Sequence, residues 1–297
     1  MKRRTFIRNS ALAAGGLFFQ SHQYTNQTNY EIAILRGGSP VEMLELGLEA
    51  LGNIERFVKK GQKILVKPTM RWNMGPESGA NTNPDLLAHL VQSCYKAGSI
   101  GVYLVDHTED SWTKCYKNSG IERAVKDAGA KILPGNKEFL YQQVDIPNAK
   151  VLKTAKIHEI VQEVDIIINV PAVKRDPQSG IFGAFNNLMG LVWDHESYQN
   201  QSDECLIDFL HYRKPILNIM DAYRVAQSDN NNQAGPEIYK SLIISPDIVA
   251  AEVYAAKRLG IDPKTVKHIE LAAKAGFGQI NLPKESARTI VLKNSHL

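Results

Sequence analysis

Several charged and amide side chains stand where short apolar runs stop. Lys67 closes KILVK (63–67), Asp106 closes VYLVD (102–106), and Asp221 closes PILNIMD (215–221). Asn169 lies near the end of DIIINVP (165–171), and Lys174 follows shortly after it. A lysine at such a point can meet phosphate or carboxylate as a point charge. A carboxylate beside a histidine can orient it for proton transfer, and His195 in WDHE supplies a histidine. The segment GAFNNLMG (183–190) adds Asn186 and Asn187, which offer donors and acceptors without charge. Its two glycines, Gly183 and Gly190, let the backbone pass close to another group. The expected site binds its ligand through Lys67, Asn83, Asn169, Lys174, Asn186 and Asn187. Its expected catalytic set is His195, Asp106 and Asp221.

Other readings of the same residues stay open. Strand ends are commonly polar, lysines there are often solvated, and paired asparagines can cap a turn or satisfy buried backbone. Asp106, His107, His195 and Asp221 could instead hold a divalent ion. There is no HExxH, no GxSxG elbow, and no Walker motif or GxGxxG after a strand. The three cysteines, Cys94, Cys115 and Cys205, form no CxxC and have no zinc or iron–sulfur spacing, so no iron–sulfur cluster is expected. They permit at most one disulfide.

These side chains can converge only if the elements carrying them share an edge. The four apolar runs are short, continuous and rich in Ile, Val and Leu, as in strands buried on both faces. Helical patterns lie between them. Asn83 and Pro84 open one as N-cap and first helical residue. Leu87, Leu90, Val91 and Cys94 follow on one face, and Gly98 closes it. Ser119 opens a second, closed by Gly129. The third spans 154–163, and Ser245-Pro246 begin a fourth that ends at Gly260. Strands alternating with helices predict an α/β fold with a mostly parallel sheet flanked by helices. In such sheets ligands bind outside the carboxyl ends of the strands. Pro147 and Asn148 leave room for a division into two α/β subdomains near residue 150.

The N-terminus reads as an address. MKRRTFIRNSALAAGGLFF pairs Arg3 with Arg4 ahead of a short apolar run, which resembles a twin-arginine export signal. Residues 1–29 are thus expected to be signal and linker, and 30–297 the α/β domain. The implied partner is the twin-arginine export machinery and the implied location is the periplasm, with the signal cleaved or retained. The apolar run is shorter than the roughly 20 residues a spanning helix needs, and no later run is long enough.

The net charge of +4 belongs to this address. Residues 1–29 carry Lys2, Arg3, Arg4 and Arg8 and no acid, so the body is neutral. A neutral body without a basic block argues against a nucleic-acid surface. The expected partner is a small molecule.

The order of the short motifs resembles the family called domain of unknown function 362. The matching pieces are VKPTM (66–70), NTNPDLL (81–87), the acid at Asp106, DIIINVPAVK (165–174) and FNNLMG (185–190). His195, Asp221, AGP (234–236), SPDIVAAE (245–252) and AGFG (275–278) complete the series. Against the family pattern, Asn186 replaces a lysine, Lys174-Arg175-Asp176 stands for Lys-Thr-His, and Glu252 replaces an aspartate. A ferredoxin-like cysteine segment found in some relatives is missing. The resemblance implies a fold and a motif set rather than a reaction. It leaves two functions: an enzyme acting on a small anionic molecule, or a ligand-binding or redox-accessory protein without turnover.

Overall fold

The computed structural model describes residues 30–194, 203–226 and 235–293. A single eight-stranded sheet organises them. Its strands are β1 (Ile32–Arg36), β2 (Lys63–Pro68), β3 (Gly101–Leu104), β4 (Lys131–Ile132), β7 (Ile166–Val170), β10 (Leu217–Val225), β11 (Glu237–Ser245) and β12 (Ala287–Val291). Two small hairpins, β5 (Tyr141–Asp145) with β6 (Thr154–His158) and β8 (Lys174–Asp176) with β9 (Gly180–Phe182), stand outside it.

The spatial order is β12-β1-β11-β10-β7-β2-β3-β4. Each of these neighbours pairs in parallel except β11, which runs against β1 and β10. The mostly parallel α/β sheet expected from the alternating pattern is therefore present. Strands on both sides of residue 150 share it.

Two hydrophobic layers cover the sheet, and the alternation along each strand decides which residue faces which. Ile64 and Val66 of β2 point into one layer and Leu65 into the other. Likewise Ile166, Ile168 and Val170 of β7 face one side and Ile167 the other. Helices Pro40–Ala50 and Pro84–Lys96 cover the first face. Helices Ala184–Leu188, Asp203–Tyr212, Ile248–Arg258 and Lys267–Lys274 cover the second. Strands with two buried faces read as unbroken apolar runs, which is why they stood out in the sequence.

Asn83 caps helix Pro84–Lys96 as expected, its Oδ1 accepting from the amides of Asp85 and Leu86 at 2.9 and 3.1 Å. The three cysteines are all buried. Three expectations need correction. Residues 154–163 are not one helix. Thr154–His158 is strand β6, and only the single turn Ile160–Glu163 is helical. Ala155 and Ile157 are buried while Thr154 is exposed, a period of two that outweighs the helical pattern read there. The last expected helix starts at Ile248 with Asp247 as its cap, because Ser245 is still the end of β11. Gly120, not Ser119, precedes helix Ile121–Asp127, and it does so at φ 75°, where glycine is at ease.

Candidate functional site

The registers bring four polar residues to one level of the sheet. Lys67 of β2 lies opposite Asn169 of β7, Asn169 opposite Asn218 of β10, and Asn218 opposite Ser245 of β11. By strand alternation all four point to the face covered by helix Ala184–Leu188. A polar row inside an apolar layer must be hydrogen-bonded throughout, because each unpaired group costs roughly 1–3 kcal/mol.

Asn187 meets that demand. Its Nδ2 donates to the Lys67 carbonyl at 2.9 Å and to Asn169 Oδ1 at 2.8 Å. Its Oδ1 accepts from Lys67 Nζ at 3.2 Å and from Thr69 Oγ1 at 2.9 Å. Both donors and both acceptor positions of the amide are thus used inside the protein. Asn169 Nδ2 continues the row, donating to the Ala184 carbonyl at 2.9 Å and to Asn218 Oδ1 at 3.2 Å. Asn218 Nδ2 donates to the Ser245 carbonyl at 3.3 Å.

Lys67 is equally occupied. Its Nζ pairs with Asp106 Oδ1 at 2.8 Å and also donates to the Pro68 carbonyl at 2.7 Å. With Asn187 these make three partners for three donors, and both ion-pair side chains are fully buried. Burial pushes the Lys67 ammonium below the usual lysine range, and Asp106 opposes that shift. Asp106 Oδ2 accepts from the Met70 amide at 2.7 Å, so the pair also anchors the loop after β2.

Buried carboxylates explain both glycines of GAFNNLMG. A Cβ on Gly190 would stand 2.1 Å from Asp106 Oδ1, and one on Gly183 would stand 2.3 Å from a Glu252 carboxylate oxygen. Glu252 Oε2 accepts from the Ala184 amide at 2.6 Å, and Oε1 meets His268 Nε2 at 3.0 Å. His268 is fully buried, with Nδ1 3.5 Å from Asp203 Oδ1 and its ring 5.1 Å from that of Phe185. Burial alone would lower its pKa, but hydrogen bonds and charge from Asp203 and Glu252 outweigh it and raise the value to about 9. Two buried charge pairs therefore clamp the segment, one at each end.

A second cluster sits where β7 ends and the loop after β2 folds back. Lys174 lies 3.8 Å from the ring centroid of Trp72 and 4.4 Å from that of Phe182, its cross-strand partner. Its Nζ donates to the Ala80 carbonyl at 2.9 Å. Arg71 flanks the same two rings at 5.5 and 6.0 Å and pairs with Glu109. Burial, and then the Arg71 charge, push the Lys174 amine well below the usual lysine range.

Next to Ala80 a cavity of about 10 Å³ is lined by Gly79, Asn81, Asn83, Asp221, Tyr223 and Arg224. That is room for about one water. Asp221 Oδ2 accepts from the Asn83 amide at 2.8 Å and Oδ1 from the Tyr223 amide at 3.1 Å. Burial raises the Asp221 carboxyl above the usual range, against these bonds and the charges of Arg224 and Lys174.

The expected site residues thus divide. Lys67, Asp106, Asn169 and Asn187 form one connected network. Asn83, Lys174 and Asp221 lie around the loop 69–83. Asn186 is buried, with Nδ2 3.5 Å from Ser179 Oγ. His195 lies outside the described residues. Of the candidate metal set, Asp106 and Asp221 have separate partners, and His107 packs edge-on against Trp193 at 5.2 Å. Among the described residues, no three His, Cys, Asp or Glu residues gather as a metal site.

Sequence reading missed Arg71, Trp72, Phe182, Arg224, Asn218 and the Glu252–His268 pair. Two signals were available. Arg71-Trp72 follow VKPTM directly, and Asn218 is an amide inside the apolar run PILNIMD.

Fold and site together define an α/β protein with a polar carboxyl edge on a mostly parallel sheet. Its residues 64–257 match the model named Domain of unknown function (DUF362), and the chain belongs to that family. A thylakoid-associated protein of Synechocystis sp. is 23% identical over 281 residues, covering 86% of this chain and 83% of that protein. The lactate racemase apoprotein of Thermoanaerobacterium thermosaccharolyticum aligns with a TM-score of 0.49 at 8% identity, over 77% of this chain. The chain spans 57% of the length of that structure. Among the described residues no helix is long and apolar enough to cross a membrane.

The His268 clamp makes stability depend on pH. Its folded pKa of about 9 lies above the ordinary 6.5, so its contribution is complete below pH 6.5 and is lost as pH rises through 9. The urea midpoint of the wild-type protein is expected to fall across that window. His268→Gln should be less stable at pH 6.5 and show a flatter profile above it. Equal slopes in the two proteins would remove the clamp.

Proposed function

We infer that this is an exported protein with a small-molecule site at the carboxyl edge of the sheet, taking a ligand with an anionic group. One observation carries the reading. Lys174 and Arg224 flank the same turn, 79–83, and neither is ion-paired among the described residues. Among the described residues Lys174 donates only to the Ala80 carbonyl, and the Arg224 backbone packs against Gly79. Asp221 faces both charges, but burial raises its carboxyl above the usual range, which leaves an incoming anion to complete the balance. The ligand-binding role therefore passes from Lys67, Asn169 and Asn187, whose donors are occupied, to Lys174 and Arg224. Asn83 and Asp221 form the wall beside them.

Phosphate and pyruvate serve as probes, with chloride at equal ionic strength as control. Each should raise the unfolding midpoint of the wild-type protein, by about 2.7 kcal/mol of stability at a hundred times Kd. In Lys174→Met and Arg224→Met the shift should drop to the chloride level. A shift of the same size in all three proteins would place the anion elsewhere.

Export rests on the Arg3-Arg4 address and the apolar run behind it. Arg3→Lys combined with Arg4→Lys should leave the chain in the cytoplasmic fraction of an expressing bacterium, whereas the wild-type chain reaches the periplasm. An identical distribution of the two would end this part of the proposal.

A further inference from the structure

We propose that β12 is a self-complementary edge, along which two copies of this chain pair in antiparallel register about Thr289. β12 is the outermost strand of the large sheet, and among the described residues no strand lies on its outer side. Its pairing with β1 fixes where its backbone groups point. That ladder is parallel, with Ala287, Thr289 and Val291 opposite Ile32, Ile34 and Arg36. The Ser286 carbonyl accepts from the Glu31 amide at 2.8 Å, and the Leu292 amide donates to the Arg36 carbonyl at 2.8 Å. The even-numbered residues therefore face β1. In such a ladder alternate residues turn their N–H and C=O groups to opposite sides. Those of Ala287, Thr289 and Val291 thus face outward as a template for another strand.

The two edges of the sheet differ. At the far edge β4 has only two residues, too few to template a partner. β12 has five residues, contains no proline and pairs with β1 without a register shift. Its one charged side chain, Arg288, lies over the Tyr30 ring of its own chain, 5.9 Å from the centroid. Thr289 is exposed, and the apolar Val291 is 66% exposed.

A second copy answers these features together. With Thr289 at the two-fold centre, Ala287 lies opposite Val291 of the second copy, and Thr289 opposite its own counterpart. All three pairs join outward-facing residues, so each exchanges both of its hydrogen bonds and the whole strand is used. The side chains of these residues share one face, since Ala287 packs on one hydrophobic layer and Ile290 and Leu292 on the other. Val291 is then covered by Ala287 of the second copy, and the two threonines form a cross-strand pair. The charges match as well. Glu285 and Lys293 flank the strand at its two ends, both are exposed, and neither is ion-paired among the described residues. Antiparallel pairing brings each to the end where the other stands, giving two contacts of opposite charge. The same patch serves both copies, so the assembly closes at a dimer.

Sedimentation equilibrium of the full chain over a concentration series tests this, and the mean mass should rise toward that of a dimer. Thr289→Pro removes one outward N–H and spares the residues bonded to β1. Both hydrogen bonds of the central pair are then lost, and the dimer Kd should rise about tenfold or more. Glu285→Lys and Lys293→Glu, at exposed positions, should each raise Kd about threefold. Mixed together, these two variants should form the heterodimer in preference to either homodimer, because both of its contacts are again of opposite charge. The mixture decides the case even if Thr289→Pro fails to fold. A chain that stays monomeric at every concentration would overturn the proposal. So would a dimer whose Kd neither charge variant changes, since its interface must lie elsewhere.

Discussion

The structure depends on keeping a row of polar side chains satisfied inside an apolar layer. Lys67, Asn169, Asn218 and Ser245 fall on one level of the sheet and on one face. That face is covered by Ala184–Leu188, a helix too short to be stable alone. It holds because Asn187 fits every valence into the row and because charge pairs fix both of its ends. The two glycines follow from the same demand, since any side chain there would meet a carboxylate oxygen at about 2 Å. Polar networks of this kind specify one arrangement when complete and are costly when broken.

This constraint also sorts the polar edge by chemistry. Where the sheet is thickest in hydrogen bonds, cations have carboxylates and amides have partners, so charge is neutralised within the protein. At the loop 69–83 the balance changes. Arg71 has Glu109, Lys174 and Arg224 both act on the raised Asp221 carboxyl, and Arg224 and Asp221 line a cavity for one water. The two regions share the loop after β2, which Asp106 anchors at Met70 and Asp221 at Asn83. A rigid network thus supports the edge at which the ligand site is proposed.

Much of the fold was legible because doubly buried strands and capped helices leave local marks. KILVK, VYLVD and DIIINVP are apolar runs with clear stops, and Asn83-Pro84 is a cap followed by a constrained first residue. Strand β6 was not legible, since its alternation covers only five residues and merges into a helical turn. β12 went unread because this edge strand buries none of its residues fully and carries no apolar run. For the site, residue types and chain order were visible, while hydrogen-bond partners were not. GAFNNLMG announces a close-packed segment with two amides, but only the register of three distant strands shows that Lys67 and Asn187 saturate each other. The aromatic surroundings of Lys174 depend on the hairpin pairing of Lys174 with Phe182 and on a loop that returns Trp72 to it.

The claim that Lys67 belongs to the buried framework, and is not a cation kept for ligands, has a direct measurement. Urea unfolding of Lys67→Met, Asp106→Leu and the double variant measures how strongly the two residues are coupled. Removing Lys67 alone strands the Asp106 carboxylate and should cost about 3–5 kcal/mol. The double variant should be less damaging than the two single losses added together. A loss below about 1 kcal/mol for Lys67→Met, the range of a solvated surface pair, with additive single effects, would contradict the account.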